Sequence, residues 1–440
     1  MRRRSLMILP LAVLTSLSVL ILFSISVFGQ EKEVELRVLT YLTGWFNSNS
    51  YVEKNIPLFE AAHPGVKVDY QINASGQTLA ELIVVEAAGG VSSDVLFLGD
   101  IIDNIWRNIV SQPSLVMDLQ PFLERDKDLD RRDFFPNLLQ AFTHNGRLIG
   151  MPMSTFTSST FINKTLFEEF GLAQPTAGWD WNGLREISRK LTQDKNNDGV
   201  PETWGFAADG YTLQYQGATV FLWANGADIV TSDHSRAALL EPQAVEALEY
   251  FYDLHFVDRV AVPPGAGAQW TLFRQGHVGI WESKSSNIPK NRAQCAPHVD
   301  WDITVPFRSP RTGAFAPLIA SNIASISATS KHPELAWEFI KFLFLSDRAQ
   351  QAMAADEGML PIRISFARHF TRVFQGPPAN VAPLIDAVAI GRTPVWFQDS
   401  QVQKDVYDII GVEWDKVIKQ QQSVRVFAEK VTPLINARLQ

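Results

Sequence analysis

Apolar residues in the first third of the chain follow the repeats of strands and helices in turn. Residues 36–42 (Leu-Arg-Val-Leu-Thr-Tyr-Leu) predict a strand, and a helix is predicted from about Tyr51 to Ala62. Residues 66–70 alternate as a second strand, a helix is predicted from about Thr78 to Ala88, and the run 94–98 is typical of a strand buried on both faces. This order, with its short connections, predicts an α/β lobe with a parallel sheet.

The same kind of pattern starts again after Gly150 and predicts a second α/β unit. Residues 160–162 predict a strand, and helices are predicted over Thr165–Phe170 and from about Asn182 to Leu191. Pro333 opens a helix whose apolar residues are spaced at three and four, which indicates a packing role. Because ligands bind beyond the carboxyl ends of parallel strands, the loops after the first three strands are candidate binding loops.

The amino terminus carries the pattern of an export signal. Residues Arg2 to Arg4 precede a stretch from Leu6 to Phe28 that no acidic residue interrupts. Cleavage is predicted after Gly29, so that residues 1–29 form a signal peptide and the mature protein is soluble in the periplasm or another extracytoplasmic space. The stretch is also long enough to stay as a membrane anchor. The single cysteine, Cys295, lies far from the cleavage point, so a lipoprotein is not predicted and no internal disulfide can form.

Composition and charge narrow the class of protein. About 410 residues remain after the signal peptide, which predicts two domains or lobes. The 46% apolar and 20% charged residues are ordinary for a globular protein. Removal of the three N-terminal arginines from the 39 basic residues leaves 36 against 47 acidic residues, a net charge of −11. This balance disfavours a nucleic-acid partner or an anionic lipid surface.

Five segments of the chain form an ordered set of motifs. They are residues 87–100 (AAGGVSSDVLFLGD), 150–164 with its Gly-Met-Pro and Phe-Ile-Asn-Lys, 179–181 (WDW), 273–281 (FRQGHVGIW) and 332–343 (HPELAWEFIKFL) with Gly-Met-Leu-Pro at 358–361. The set resembles segments of the family-1 extracellular solute-binding proteins, the maltose-binding-protein-like group. Each segment alone is weak evidence, whereas the ordered set spans nearly all of the mature chain.

The resemblance implies a fold, a domain division and a function. The fold is α/β, a two-lobed periplasmic-binding-protein fold of type II with an α/β sandwich in each lobe and three interlobe crossings, near Met153, Ala314 and Pro361. The N-terminal lobe would comprise residues 30–152 and 314–360, and the C-terminal lobe residues 153–313 and 361–440. The implied function is that of the extracytoplasmic solute-binding component of an ABC importer, which closes around a sugar or oligosaccharide and delivers it to membrane permease subunits.

The candidate binding residues follow from the chemistry of sugars. A sugar presents C–H faces and a rim of hydroxyl groups, so its site needs flat aromatic side chains with carboxylates, amides and hydroxyls. The ligand-binding candidates, all in predicted loops or at predicted strand ends, are Trp45, Gln77, Asp100, Thr155, Phe156, Thr157, Tyr211, Gln214, Trp281, Glu282 and Trp396. Each aromatic taken alone is more often a packing residue, and Trp204, Trp223 and Trp337 are predicted to lie in the core.

Two positions depart from the family pattern. The stacking Trp that relatives carry after the Phe-x-x-Gly strand is replaced here by Ser286, in the sequence Lys284-Ser285-Ser286, which leaves Trp281 as a candidate substitute. At Phe156 the best-known maltose-binding members carry an acid. Both departures leave the identity of the sugar open.

Residues 194–202 (DKNNDGVPE) place oxygen-bearing side chains at alternate positions around a glycine, as calcium loops do. The candidate ligands of a structural Ca2+ are Asp194, Asn196, Asp198 and Glu202. An EF-hand would carry Glu at the twelfth position, where this chain has Gly205, so no EF-hand is predicted. The alternative is a solvated turn without metal. No other cofactor is predicted.

Two other functions share these features. An exported glycoside-acting hydrolase would use the same aromatic side chains with a pair of carboxylates. Spacing singles out no such pair among the 47 acidic residues, and no nucleophile elbow, metalloprotease motif or phosphate loop occurs. We therefore predict that the chain is not an enzyme. A sensory solute-binding protein without a transport role has the same sequence pattern. A monomer is expected.

Overall fold

The computed structural model describes residues 33–42, 51–73, 75–90, 93–99, 112–213, 216–356, 359–374, 376–393 and 400–440. The strands are β1 (Val34–Thr40), β2 (Val66–Ile72), β3 (Val95–Leu98), β4 (Thr143–His144), β5 (Arg147–Leu148), β6 (Met151–Pro152), β7 (Phe156–Asn163), β8 (Trp204–Ala208), β9 (Val278–Lys284), β10 (Trp301–Thr304), β11 (Ile319–Ala320) and β12 (Ile323–Ile326). The helices are α1 (Tyr51–Ala62), α2 (Gly76–Gly89), α3 (Gln120–Arg125), α4 (Pro136–Ala141), α5 (Lys164–Glu169), α6 (Trp181–Leu191), α7 (Ala218–Ala224), α8 (Pro242–Phe256), α9 (Gln269–Arg274), α10 (Ile288–Gln294), α11 (Pro333–Ile340), α12 (Asp347–Asp356), α13 (Ile364–Val373), α14 (Ala382–Ile390), α15 (Ser400–Ile418) and α16 (Val424–Leu439). Across these ranges, no helix has the length and apolar character needed to cross a membrane.

The first sheet has the strand order β2-β1-β3-β12-β6. Its first three strands are parallel, as the sequence predicts. β12 and β6 add an antiparallel part, because β12 pairs with both β3 and β6 in the opposite direction. All four residues of β3 are buried, and Phe97 packs against Phe339 of α11. The helix opened by Pro333 therefore has the packing role that its spacing predicts.

Directly before β3, charged residues form an ion pair and a network of hydrogen bonds that includes Ser93 and Asp94. The Arg37 guanidinium lies 2.7 Å from Glu86, and the other oxygen of this buried carboxylate accepts hydrogen bonds from the backbone and hydroxyl of Ser93. Asp94 accepts a hydrogen bond from the Arg37 backbone at 3.0 Å and another from the Ser330 hydroxyl at 2.6 Å. The segment 87–100 thus owes its polar residues at 93 and 94 to a structural network.

The second sheet has the order β10-β7-β9-β8, and β11 pairs with the start of β7. β7 is antiparallel to β9 and β10, whereas β8 is parallel to β9, and all eight residues of β7 are buried. Helix α6 crosses β8 so closely that a Cβ on Gly205 would lie 2.0 Å from the Ser188 carbonyl oxygen. This contact explains the glycine at a position where a calcium-binding EF-hand would need a glutamate.

Three segments cross between the sheets side by side. In the first crossing, from β6 to β7, the Met153 N–H donates to the Asn322 carbonyl at 2.9 Å. The second crossing lies at residues 321–322 and not near Ala314, because β11 still pairs with β7 of the second sheet before β12 enters the first. The third crossing passes Leu360, whose carbonyl accepts a hydrogen bond from the Thr155 backbone at 3.3 Å.

In the third crossing the chain does not leave the first lobe directly at Pro361. Just beyond it, the Arg363 guanidinium lies 2.8 Å from Asp133, which also accepts hydrogen bonds from the backbone and hydroxyl of Ser365. The start of α13 is therefore tied to the first lobe. Contacts with the second lobe follow later, where the Arg292 guanidinium of α10 lies 4.3 Å from the centre of the Phe374 ring and donates to the Pro377 carbonyl at 2.7 Å. The predicted domain boundaries otherwise stay predictions.

The C-terminal helices complete the core of the second lobe. Trp414 of α15 packs edge-on against Phe427 of α16 with ring centres 5.1 Å apart, and its indole N–H donates to the Tyr211 carbonyl. The predicted core residues Trp204, Trp223 and Trp337 are all buried.

Candidate functional site

The carboxyl end of β9 meets the first crossing where β7 begins. The Lys284 ammonium lies 5.9 Å from the centre of the Phe156 ring, a cation–π arrangement, and Phe156 is 7% exposed. The Ser285 hydroxyl accepts a hydrogen bond from the Thr157 backbone at 3.1 Å. An aromatic ring, an ammonium and a hydroxyl thus lie together at the boundary between the lobes, where the predicted cleft opens.

The hydroxyls of Thr155 and Thr157 are engaged within the crossings. Thr155 donates to the Ala320 carbonyl at 3.2 Å, and Thr157 donates to the Leu318 carbonyl at 2.8 Å. Both residues are almost fully buried. Their side chains therefore hold the first crossing to the second, a role that the sequence analysis does not include.

Glu282 lies on β9 between Thr160 of β7 and Ala208 of β8 and is fully buried. Neither of its carboxylate oxygens has a hydrogen-bond partner of normal geometry within the described residues. Burial, followed by the nearby Asp209 charge, raises the pKa of Glu282 well above its ordinary value of 4.5, against smaller opposing effects of Ser158 and Lys284. The Glu282 carboxyl group is therefore favoured in its neutral, protonated form. It is enclosed in the sheet and is not exposed at the surface.

Trp281 points to the opposite face of β9. It is 0% exposed and packs between Phe161 and Phe273, with ring centres 5.3 and 5.2 Å away. Alternate strand residues face opposite sides, and this side is covered by the helix that carries Phe273. In this conformation Trp281 has no surface for a ligand and does not replace the aromatic ring missing at Ser286.

The remaining candidates are dispersed. Tyr211 follows β8 and is half-buried, and its hydroxyl donates to the Val262 carbonyl at 2.8 Å. Burial raises the pKa of Tyr211 to about 12. Gln77 is exposed on the first turn of α2, where its amide donates to Glu81 at 3.1 Å. Four predicted site residues lie outside the described residues, namely Trp45, Asp100, Gln214 and Trp396.

Comparison with known proteins decides the family. Residues 44–350 match the family model described as bacterial extracellular solute-binding protein. The chain belongs to this family. The solute-binding protein is 25% identical over 358 residues to a relative from Brucella abortus named as a binding protein, a match that covers 79% of this chain and 80% of the relative. Family membership confirms the prediction that the chain is not an enzyme.

Solved structures share the fold of this solute-binding protein. An ABC substrate-binding protein from Listeria monocytogenes, in complex with cycloalternan, superposes with a TM-score of 0.74 and 21% identity over 92% of this chain and 98% of that one. An ABC transporter solute-binding protein from Thermotoga lettingae, bound with α-D-tagatose, gives a TM-score of 0.73 and 18% identity over 92% and 100%. These likenesses confirm the predicted two-lobed fold.

The predicted calcium loop of the solute-binding protein is an exposed turn. Asp194 accepts hydrogen bonds from the backbones of Asp198 and Gly199, and Glu202 accepts one from the backbone of Lys195. Within the described part of the chain, no group of three or more His, Cys, Asp or Glu residues has the geometry to hold a metal ion. Asn196 contributes an amide oxygen that already accepts from the Asp198 N–H at 2.8 Å. Calcium binding stays a prediction.

Sequence reasoning missed Lys284 and Ser285 as parts of the site. The sequence analysis mentions the two residues only because they lie in the segment where relatives carry a stacking Trp. The signal was available, because both follow the Phe-x-x-Gly strand at its carboxyl end, where ligands approach α/β sheets. What the sequence could not supply was the register that brings Lys284 opposite Ser158 and beside the first crossing.

Proposed function

We propose that this solute-binding protein is the exported capture component of an ABC importer and that it binds a sugar or oligosaccharide between its two lobes. The observation that carries the proposal is the meeting of Phe156, Lys284 and Ser285 at the first crossing. Rotation about adjacent crossings would move the lobes toward each other over this group. Ligand binding would then favour the closed conformation, which membrane permease subunits recognise.

The chemistry of the site supports a carbohydrate. In the proposed site the Phe156 ring would meet the C–H face of a sugar as the lobes open, and the Lys284 ammonium and Ser285 hydroxyl would supply hydrogen bonds to hydroxyl groups. The Listeria and Thermotoga proteins of the same fold bind a cyclic oligosaccharide and a monosaccharide, respectively. The proposal therefore covers carbohydrates of different sizes.

The proposed location is outside the cytoplasm. The basic residues Arg2 to Arg4 and the following apolar stretch would direct export, and cleavage after Gly29 would release a monomer without a lipid anchor. The family's description as extracellular agrees with this location. Mass spectrometry of the secreted protein, with Gln30 expected as the first residue, would test the cleavage directly.

A thermal-shift screen tests the ligand class. We expect maltose, maltotriose, cycloalternan or α-D-tagatose to raise the melting temperature, because a ligand at about 100 times its Kd adds about 2.7 kcal/mol to the free energy of unfolding. Glycerol 3-phosphate and amino acids should have no effect. Chromatography should recover the bound sugar unchanged. Turnover of a sugar, or stabilisation by none of them, would contradict the proposal.

A pair of variants tests the place of binding. Phe156→Ala should weaken binding of the sugar found in the screen by about two- to tenfold, since loss of an aromatic contact costs about 0.5–1.5 kcal/mol. Tyr252→Ala is the matched control, because this half-buried aromatic on α8 packs against Phe256 with the ring centres 4.8 Å apart. Equal affinities of the two variants, measured by calorimetry, would place the ligand elsewhere.

A further inference from the structure

Arg274, the last residue of α9, is a buried cation held by amides. Its guanidinium donates three hydrogen bonds to side-chain amide oxygens, at 2.8 Å to Asn291, 2.9 Å to Gln294 and 3.0 Å to Asn287. The residue is 7% exposed, and its guanidinium feels the charge of Asp209 without a hydrogen bond to it among the described residues. The planar fork of arginine suits such a fixed set of acceptors.

One of these acceptors belongs to a short turn at the end of β9. This turn, Ser285–Asn287, is called the rim turn below. Asn287 accepts from Arg274 and also donates to the Ser283 hydroxyl at 2.9 Å, and Ser285 accepts from the Thr157 backbone at 3.1 Å. The rim turn is therefore fixed from the α9 side by Arg274 and from the hinge side by Thr157.

We infer that Arg274 is a positioning residue that holds the rim turn against the first crossing and so sets the wall of the binding cleft at Lys284 and Ser286. Arg274 acts through Asn287, because its other two hydrogen bonds go to α10 and anchor the guanidinium there. The part of this inference that concerns the cleft rests on the proposed function. The ordering of the turn does not.

The amide set offers a matched pair of variants. Asn287→Ala removes the link between Arg274 and the rim turn but leaves Arg274 bonded to Asn291 and Gln294. Gln294→Ala removes a hydrogen bond of the same kind at the far end of α10. Arg274→Met removes all three bonds at once and also tests the charge. If Arg274→Met fails to fold, the other pair still decides the question.

A nitroxide on the turn measures its order without any ligand. The label is attached at Ser286→Cys in a Cys295→Ala background, so that the chain carries one thiol. We expect Asn287→Ala and Arg274→Met to shorten the rotational correlation time of the label by about twofold or more, and Gln294→Ala to leave it unchanged. Unchanged mobility in Asn287→Ala, or the same increase in Gln294→Ala, would overturn the inference.

Titration with maltotriose then links the turn to binding. Asn287→Ala should lower the affinity by about tenfold with one site per chain, and Gln294→Ala should match the parent. If Asn287→Ala increases the mobility of the label but does not lower the affinity, the cleft role of Arg274 is refuted. If neither the parent nor any variant binds maltotriose or the other sugars of the screen, the proposed function fails while the label result still decides the positioning role.

Discussion

The backbone N–H of Thr155 donates a hydrogen bond to the Leu360 carbonyl at 3.3 Å, and the Thr155 hydroxyl donates to the Ala320 carbonyl at 3.2 Å. One residue of the first crossing is thereby joined to the third crossing and to the strand that leads into the second. The three segments that link the lobes must then bend together. Thr155, predicted as a ligand contact, has instead the contacts of a hinge residue.

Thr155→Val should lower the free energy of unfolding by about 1–3 kcal/mol, because the buried Ala320 carbonyl loses its donor. It should also change the affinity for the bound sugar, since the proposed closure of the lobes would bend the crossings that this bond joins. Urea unfolding and calorimetry measure the two effects. Thr304→Val is the control, because the Thr304 hydroxyl makes a partly buried hydrogen bond, to the Pro175 carbonyl, within one lobe. A change of affinity in both variants, or in neither, would contradict the hinge role.

Glu282→Gln should change how stability depends on pH. The folded-state pKa of Glu282 is raised above its ordinary value of 4.5 by burial and by Asp209, so its stabilising contribution is complete below pH 4.5 and is lost as the pH rises toward the folded-state pKa. Glutamine cannot ionise. The variant should therefore lose this decline, which is at most about 1.4 kcal/mol per pH unit.

Urea unfolding between pH 4 and pH 8 measures the slope for Glu282→Gln. Exposed Glu124→Gln, on α3, should keep the slope of the parent. Identical profiles for the parent and Glu282→Gln would contradict a raised pKa of Glu282 in the folded state.

His255 should make the fold sensitive to acid. It is fully buried on α8, its Nδ1 lies 2.8 Å from the Phe251 carbonyl, and burial lowers the pKa of His255 from 6.5 to about 4. The stability that depends on neutral His255 is complete above pH 6.5 and is lost as the pH falls through 4, by about 3 kcal/mol. His255→Phe should flatten the profile between pH 7 and pH 4, and exposed His369→Phe should not. A parent as stable at pH 4.5 as at pH 7 would argue against a buried neutral histidine.

The loop from Asp194 to Glu202 carries the calcium prediction. We expect millimolar Ca2+ to raise the melting temperature of chelator-treated protein and to leave sugar selectivity unchanged, because the loop lies away from the crossings. Asp198→Asn should abolish the effect, and Asp233→Asn, in another exposed turn, should preserve it. No response of the parent to Ca2+ would establish the alternative, a turn closed by its own backbone hydrogen bonds.

Local rules predicted much of the fold. The helix expected from Thr78 begins at Gly76 because Ser75 caps it by accepting a hydrogen bond from the Thr78 backbone. The strand expected to reach Leu42 ends at Thr40, whose hydroxyl accepts from the Leu42 backbone and bends the chain. Such differences of two residues arise from side-chain caps that periodicity does not detect.

The candidate site was harder to predict, because it depends on pairing between distant strands. Alternation along β9 indicates that Trp281 and Glu282 face opposite sides, but not that α9 covers one side and that Glu282 is enclosed beside Asp209 on the other. The resemblance was strong enough to give the family and the two-lobed fold. It placed the second crossing too early because the short β11 has no pattern of its own.

The position of β12 has a consequence for how the chain folds. β12 lies between β3 and β6, so the register pairs Leu98 with Ile323 and Ala324 with Met151. The first lobe therefore cannot complete its sheet until more than three hundred residues have been synthesised, and a shorter nascent chain exposes two unpaired, apolar strand edges. Closing a sheet across such a separation is slow. A chaperone that shields those edges until β12 is synthesised should therefore raise the yield of folded protein.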